Sequence, residues 1–273
     1  MLHHEFIHAE DGNQETIVML HGFGGNSRIW KYQVPLLSTH YNVLMIDLPS
    51  HHEDNKKLSQ IKEATLDAVT QEILAVCDHY HIRHATFMGV SLGTIFVKYI
   101  EAYYPDYVNF GILVGSVATV NCMLRFCAKA FSKIGDKLPF RFIYYVFSWV
   151  LMPGDRNKES RSVFRKCAVA LNRTEFKLYM CVLNQAFAFS QQFQKHSHPE
   201  NVYISGDEDH CFLKETQHEA KHSSAQMITI PHCGHVCNIV EKHKFNALMM
   251  DILHNSQERI KALIPMQHKH FAK

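Results

Sequence analysis

A short glycine motif lies between a predicted strand and a predicted helix. Gly89-Val-Ser91-Leu-Gly93 directly follows the apolar run at residues 85–88 and directly precedes a helical pattern that starts at Leu92. A serine on such a sharp turn has a strained backbone, and glycines two positions before and after it avoid clashes with the neighbouring strand and helix. The motif predicts a serine hydroxyl that projects above the end of a parallel sheet, beside the positive end of a helix dipole.

The remaining pattern supports such a sheet. Continuous apolar runs of strand length occur at residues 16–20, 42–46, 109–114, 201–204 and 226–230. Helical patterns alternate with them at residues 27–37, 60–80, 92–104, 213–222 and 236–256. Because continuous apolar runs are typical of parallel strands buried on both faces, the alternation predicts an α/β fold with helices on both sides of a mostly parallel sheet.

The alternation is interrupted between residues 118 and 195, where apolar residues recur at helical spacing. We therefore predict a body formed by residues 1–117 and 196–273, and an inserted helical cap at 118–195. The cap has 13 Lys and Arg against 4 Asp and Glu, a net +9, whereas the rest of the chain has a net −7. This asymmetry fits either a solvated surface or attraction to anionic lipid or an acidic substrate.

One stretch of the cap, residues 139–152, is apolar and aromatic with a single charge. It is too short to span a bilayer, and it suits a pocket wall, a dimer interface or an interfacial helix. We expect a monomer or a homodimer.

Composition excludes several classes of protein. The 273 residues have a net charge of +2, with 12 Gly and 8 Pro, so a collagen-like, low-complexity or nucleic-acid-binding chain is not expected. The start of the chain has no signal-peptide pattern, no run of 18 apolar residues occurs, and the eight Cys lack the dense spacing of a disulfide scaffold. We expect a cytoplasmic protein with reduced thiols, in peripheral contact with the membrane if the cap binds lipid.

A second glycine-rich loop, His21-Gly22-Phe23-Gly-Gly25, follows the run at residues 16–20. Glycines let a loop approach a substrate oxygen and leave backbone amides free, as an oxyanion hole requires. The predicted donors are the amides of Phe23 and Leu92. The spacing fits neither Gly-x-Gly-x-x-Gly nor a phosphate loop ending in Gly-Lys-Ser/Thr, so no nucleotide cofactor is expected.

Together these motifs resemble the α/β-hydrolase superfamily, in particular its esterase-like members with a helical cap. The resemblance covers about residues 15–256. It is carried by both glycine motifs and, in the family's order, by Trp30, Asp47-Leu-Pro49, Gly206-Asp-Glu-Asp209 and Gly234-His235. One departure is Ser50-His51-His52, which stands where the family usually has glycine after Asp-Leu-Pro.

The family order of nucleophile, acid and histidine implies the remaining catalytic residues. Asp209 is the implied acid, with Asp207 as the alternative. His235 is the implied base because it lies on a loop after the strand at residues 226–230 and before the last helix, at the same sheet edge as Ser91. His232 is its competitor.

A metal site was the rival interpretation of this segment, because His232, Cys233, His235 and Cys237 lie close in sequence. Zinc ligands usually include a second distant pair, which is missing here, so we expect no metal. The paired histidines elsewhere, including His51 and His52, are expected to be exposed.

The resemblance implies a serine hydrolase that cleaves carboxylic esters through an acyl-enzyme intermediate, and the apolar stretch of the basic cap favours esters with hydrophobic acyl chains. In this hydrolase Ser91 attacks, His235 relays the proton, Asp209 orients His235, and the amides of Phe23 and Leu92 hold the oxyanion. Lipase, thioesterase, peptidase and carbon–carbon hydrolase activities use the same residues and remain open. So does a catalytically weak ligand-binding protein.

Overall fold

Seven strands form one sheet in the computed structural model, which describes residues 1–117, 138–167 and 171–267. The strand order is β1-β3-β2-β4-β5-β6-β7, with β1 antiparallel to β3 and every other pair parallel. The strands are β1 His4–Ile7, β2 Thr16–Leu20, β3 Asn42–Ile46, β4 Ala85–Val90, β5 Val108–Val114, β6 Val202–Gly206 and β7 Gln226–Ile230. The predicted mostly parallel α/β sheet is confirmed.

The helices cover both faces of the sheet. They are α1 Val34–Leu37, α2 Leu66–His79, α3 Leu92–Tyr103, α4 Phe140–Leu151, α5 Lys158–Cys167, α6 Arg173–Ala188, α7 Ser190–His196, α8 Leu213–His222, α9 Cys237–Val240 and α10 Lys242–Gln267. Side-chain caps fix two of their starts. Thr65 Oγ1 accepts a hydrogen bond from the Ala68 amide before α2, and Asn172 Oδ1 accepts one from the Glu175 amide before α6.

Alternate residues of the same strands feed two cores. Val18 and Leu20 of β2 pack on one face, in a cluster that includes residues of α2 and α3, while Met19 packs on the other with Trp30 and Phe245. This two-sided burial explains why the strands are continuous apolar runs in the sequence.

The structure contains one strand that the sequence did not predict and differs from two of the predicted helices. Strand β1 was missed because it is a short edge strand that is not fully buried and has a mixed polar sequence. The predicted helix at 27–37 is a 3₁₀ turn, Ser27–Trp30, followed by α1, because Pro35 is compatible only with a first helical turn. The predicted final helix is divided into α9 and α10 at Glu241.

Four of the described helices, α4 to α7, lie between β5 and β6. They occupy the segment that the sequence assigns to the cap. Residues 118–137 and 168–170 lie outside the described residues, so the cap boundaries at 118 and 195 stay a prediction.

The described cysteines, at positions 77, 167, 181, 211, 233 and 237, are all free thiols. Cys122 and Cys127 belong to the part of the chain that is not described. Over the described ranges, no helix combines the length and the apolar character needed to cross a bilayer.

Candidate active site

Ser91 lies on the turn between β4 and α3 with φ 52° and ψ −115°, a left-handed conformation that is strained for a serine. The turn is held from both sides. The Ser91 amide donates to the Val114 carbonyl at 2.9 Å, and the Ser91 carbonyl accepts from the Thr94 amide at 2.9 Å and from its hydroxyl at 2.6 Å. The Ser91 side chain is therefore presented, partly exposed, at the carboxyl end of the central strands.

The two glycines of the motif are required by close backbone contacts. A Cβ at Gly93 would lie 2.2 Å from the carbonyl oxygen of Leu20, and a Cβ at Gly89 would lie 2.7 Å from the backbone of Gly93 and Thr94. In the adjoining loop, a Cβ at Gly22 would lie 3.1 Å from the Cβ of Ser91. The motif thus lets α3, β2 and the glycine-rich loop after β2 meet around one serine.

Gly93→Ala is expected to lower the free energy of unfolding by about 3 kcal/mol or more, because the clash is with backbone that cannot rotate away. The matched control is Gly12→Ala. Gly12 has φ +78°, but nothing lies within 4 Å of the position that a Cβ would take there. Its alanine variant is therefore expected to lose about 1–2 kcal/mol of the free energy of unfolding, from backbone strain alone. Urea denaturation measures both, and equal losses would contradict the proposed contact with Leu20.

The structure brings Ser91, His235 and Asp209 into one hydrogen-bonded chain. His235 Nε2 lies 2.8 Å from Ser91 Oγ, and His235 Nδ1 lies 2.8 Å from Asp209 Oδ2. The other carboxylate oxygen of Asp209 accepts from the amides of Cys211 and Phe212 at 3.3 Å each. Both His235 and Asp209 are buried, so the contacts between them are shielded from water.

The alternative acid and base lie elsewhere. Asp207 is exposed, and its Oδ1 accepts from the Cys233 amide at 3.2 Å. His232 is exposed on a turn with φ 61°. The structure therefore joins Asp209, and not Asp207, to His235.

Two glycines lie against the loop that carries this histidine. Gly115, directly after β5, has φ +53°, and a Cβ there would lie 2.7 Å from the His235 carbonyl and 3.0 Å from its Nδ1. A Cβ at Gly206 would lie 2.0 Å from the Cys233 carbonyl. Gly206 belongs to a motif named above, whereas Gly115 was missed, and its only sequence signal is that it follows a buried strand.

His21 holds the glycine-rich loop after β2. Its Nδ1 donates to the Gly22 carbonyl at 2.8 Å, and its Nε2 accepts from the Leu48 amide at 2.9 Å. Burial lowers the pKa of His21 well below its usual value, which keeps the ring neutral and suited to both roles. The backbone amides of Phe23 and Leu92 donate no hydrogen bond to any other described residue, so both are available to a ligand.

Five rings surround the Phe23 side chain, and the six together form what we call the aromatic wall. Its members are Phe23, His51, Tyr144, Phe147, Phe176 and Tyr179, and the other five ring centroids lie 5.5 to 6.4 Å from that of Phe23. These five come from the loop after β3 and from α4 and α6, so the helices inserted between β5 and β6 contact Phe23, the neighbour of Gly22 in the loop that approaches Ser91.

Contacts beside this wall explain why Ser50-His51-His52 can stand where the family usually has glycine. Ser50 has φ +64°, a conformation that favours glycine, but its hydroxyl donates to the Glu175 carboxylate of α6 and accepts from the Leu58 amide at 2.8 Å. Tyr179, also on α6, donates its hydroxyl to the Pro49 carbonyl at 2.7 Å. The loop after β3 is thereby joined to α6.

His51 is fully buried, so the expectation that it is exposed is wrong. Its Nδ1 donates to the Pro49 carbonyl at 2.8 Å, and its ring contacts those of Phe23 and Tyr179. Sequence reasoning treated the pair as polar surface because it could not place a loop residue under a helix from elsewhere in the chain.

His51 is expected to make the protein acid-labile. Burial lowers its pKa to about 4 from 6.5, so its contribution to stability is present above pH 6.5 and is lost as the pH falls towards 4, where the unfolded chain binds the proton first. Across that pH interval the free energy of unfolding of the wild type should fall by about 3 kcal/mol more than that of His51→Asn, since asparagine can keep the hydrogen bond to Pro49 without titrating. Urea titrations at several pH values measure this, and parallel curves would contradict it.

The described residues contain one group of side chains that could hold a metal ion, His3, Asp47 and His52. His3 Nδ1 lies 2.8 Å from Asp47 Oδ2, and the rings of His3 and His52 are stacked 3.7 Å apart at 6°. Parallel rings direct their nitrogen lone pairs side by side rather than at a common point, so this contact fits attachment of β1 better than a metal centre. At the other candidate, His235 uses both ring nitrogens on Ser91 and Asp209.

The chain is similar to known proteins in sequence and in structure. A family model described as alpha/beta hydrolase fold matches residues 15–147. The dihydrolipoyllysine-residue acetyltransferase component of the acetoin cleaving system of Pseudomonas putida is 36% identical over 77 residues, which cover 28% of this chain and 20% of that protein. The pimeloyl-(acyl-carrier protein) methyl ester esterase of Vibrio cholerae is 28% identical over 105 residues, 38% of each chain. The chain thus spans well under half the length of these two relatives.

A solved hydrolase from Pseudomonas aeruginosa superposes with a TM-score of 0.78 at 17% identity, over 92% of this chain and 93% of that one. The sheet order, the strained serine after β4 and the family match agree with one another. The chain has the α/β-hydrolase fold.

Proposed function

We propose that this protein is a serine hydrolase that cleaves carboxylic esters through an acyl-enzyme intermediate. The observation that carries the proposal is the continuous chain from Ser91 Oγ through His235 to Asp209, with 2.8 Å at each link. Such a chain activates a serine because the histidine can remove the hydroxyl proton as the oxygen attacks.

The tautomer of His235 follows from its partners. The Asp209 carboxylate can only accept, so Nδ1 carries the proton and Nε2 is left to accept from Ser91. In the first step Ser91 Oγ bonds to the ester carbonyl carbon while its proton passes to Nε2. The tetrahedral intermediate then expels the alcohol, which takes that proton, and the acyl group stays on Ser91. Water, deprotonated by His235, releases the acid by the reverse sequence.

The negative charge on the tetrahedral oxygen needs donors that are already in place. We assign this role to the amides of Phe23 and Leu92. His21 fixes the loop that carries Phe23, and Leu92 is the first residue of α3, whose dipole also favours an anion. Gly22 allows that loop to approach Ser91 closely.

The aromatic wall supports an apolar acyl group. Phe23, Phe147 and Phe176 present ring surface with no polar atom, and apolar contact in a site of this kind positions a carbonyl against the serine. The Vibrio cholerae relative is named as an esterase that acts on a methyl ester of an acyl chain. Both observations favour an ester over a peptide.

The proposal is tested with a fluorophosphonate probe and a panel of aryl esters that differ in acyl length. We expect covalent labelling that mass spectrometry locates on Ser91, and a rapid burst of phenol equal to the enzyme concentration before steady turnover. A folded protein that neither labels nor shows turnover would be a ligand-binding relative instead.

A further inference from the structure

Helix α4, Phe140–Leu151, has an apolar outer face that stays exposed among the described residues. Seven large apolar side chains are exposed in the described part of the chain, and four of them lie on this helix. They are Phe142, Tyr145, Val146 and Trp149, with exposed fractions of 52, 47, 36 and 38%. Since they recur at helical spacing, they share an arc of about 100°.

The opposite side of the same helix is packed. Ile143, Tyr144 and Leu151 are buried, and Tyr144 and Phe147 belong to the aromatic wall around Phe23. The inner contacts of α4 are therefore satisfied without the outer residues. Folding of the described residues does not explain why the outer face is aromatic.

Cationic groups border the outer face. The Arg165 guanidinium is half-buried and lies 4.0 Å from the ring centre of Tyr145. The Arg161 guanidinium lies 3.7 Å from the ring centre of Trp149, but it is buried beneath that ring and donates to the Met152 and Gly154 carbonyls. Arg141 and Lys158 are exposed, and no acidic side chain within the described ranges pairs with either. Of the acids in this part of the chain, Glu159 is bonded to Lys31 and Tyr32 of the body, and Asp155 is exposed close to Arg161. The surface is thus apolar at its centre and positive at its border.

We propose that the outer face of α4 binds an anionic lipid surface, with the helix lying in the interfacial plane. Tyrosine and tryptophan favour that depth because one end of each ring is apolar and the other polar, and neighbouring cations attract anionic headgroups. The helix is about 18 Å long, too short for the roughly 30 Å of a hydrocarbon core, so it lies on the bilayer rather than across it. The positive border selects an anionic surface over a neutral one.

Trp149 makes the test specific. The chain contains two tryptophans, and Trp30 is completely buried in the core beneath the sheet, so a change in emission on docking reports Trp149. Vesicles of phosphatidylcholine with phosphatidylglycerol should shift the emission to the blue and sediment the protein, whereas pure phosphatidylcholine should do so weakly. Raising the salt from 0.01 to 0.15 M should weaken binding, as the Debye length shortens from about 30 to about 8 Å.

Variants locate the contact. Phe142→Ser should weaken vesicle binding about tenfold, the effect of one large apolar side chain left in water, while keeping Trp149 as the reporter. Leu36→Ser is the matched control, since Leu36 is 37% exposed but lies on α1 of the body, and it should bind as wild type does. A joint Arg141→Gln and Lys158→Gln variant should lose the preference for anionic vesicles.

Three outcomes would overturn the proposal. The first is a Trp149 emission that anionic vesicles leave unchanged, and the second is an equal loss of vesicle binding in Phe142→Ser and Leu36→Ser. The third is self-association in light scattering that Phe142→Ser abolishes, without any vesicle binding, which would make the face a contact between two copies. The readout needs no substrate. Ser91→Ala should bind vesicles as wild type does, so failure of the proposed hydrolase activity and failure of lipid binding are distinguishable.

Discussion

Ser91→Ala is expected to lower kcat for ester hydrolysis by about 10⁴-fold or more and to abolish fluorophosphonate labelling. The reason is that the bond to the acyl carbon is made by Ser91 Oγ, which His235 Nε2 contacts at 2.8 Å. Any residual rate would come from water held near the amides of Phe23 and Leu92. The variant should fold normally, because the hydrogen bonds that hold the turn use the backbone amide and carbonyl of Ser91 and not its side chain.

Ser162→Ala is the control for general effects of removing a hydroxyl, since Ser162 is exposed on α5. It should label and turn over as wild type does. Retained labelling in Ser91→Ala would place the nucleophile elsewhere, and loss of labelling in both variants would point to a perturbed fold rather than to chemistry. Circular dichroism and a urea midpoint distinguish the last case.

Asp209→Asn is expected to lower kcat by about 10⁴-fold with little change in the fold. The asparagine amide would donate towards His235 Nδ1 and force the proton onto Nε2, which could then no longer accept from Ser91. The remaining carboxamide oxygen can still accept from the amides of Cys211 and Phe212. The effect should therefore appear in kcat rather than in stability.

Asp207→Asn is the matched control, two residues away in the same loop. Asp207 is exposed, and its contact with the Cys233 amide needs only an acceptor oxygen, which asparagine supplies. Its kcat should stay within about twofold of wild type, as for other surface substitutions. If instead Asp207→Asn were inactive and Asp209→Asn active, the buried contact between Asp209 and His235 would have no catalytic meaning.

Much of the body was predictable because its elements are local and strongly patterned. The apolar runs that become β2, β3 and β7 match the observed strands residue for residue, since burial on both faces leaves an uninterrupted signal. The edge strand β1 and the break before α10 were not predictable, because a half-exposed strand and a one-residue interruption leave weak local patterns.

The candidate active site, like the body, was predictable where its pattern is local. Ser91 and its glycines form a local pattern that is recognisable within five residues, although the contact that excludes a side chain at Gly93 is with the distant Leu20 carbonyl. The choice of Asp209 over Asp207 and the role of Gly115 depend on which loop lies opposite His235. His51 illustrates the limit, since α6, 120 positions further along the chain, is what buries it.

The sequence by itself determined the sheet, the strained serine and the candidate histidine, because each depends on neighbours within a few residues. The tertiary structure decided which carboxylate meets His235, which rings enclose Phe23 and which face of α4 is left exposed. Those contacts join residues more than 20 positions apart, and only the packing of the elements against one another brings them together.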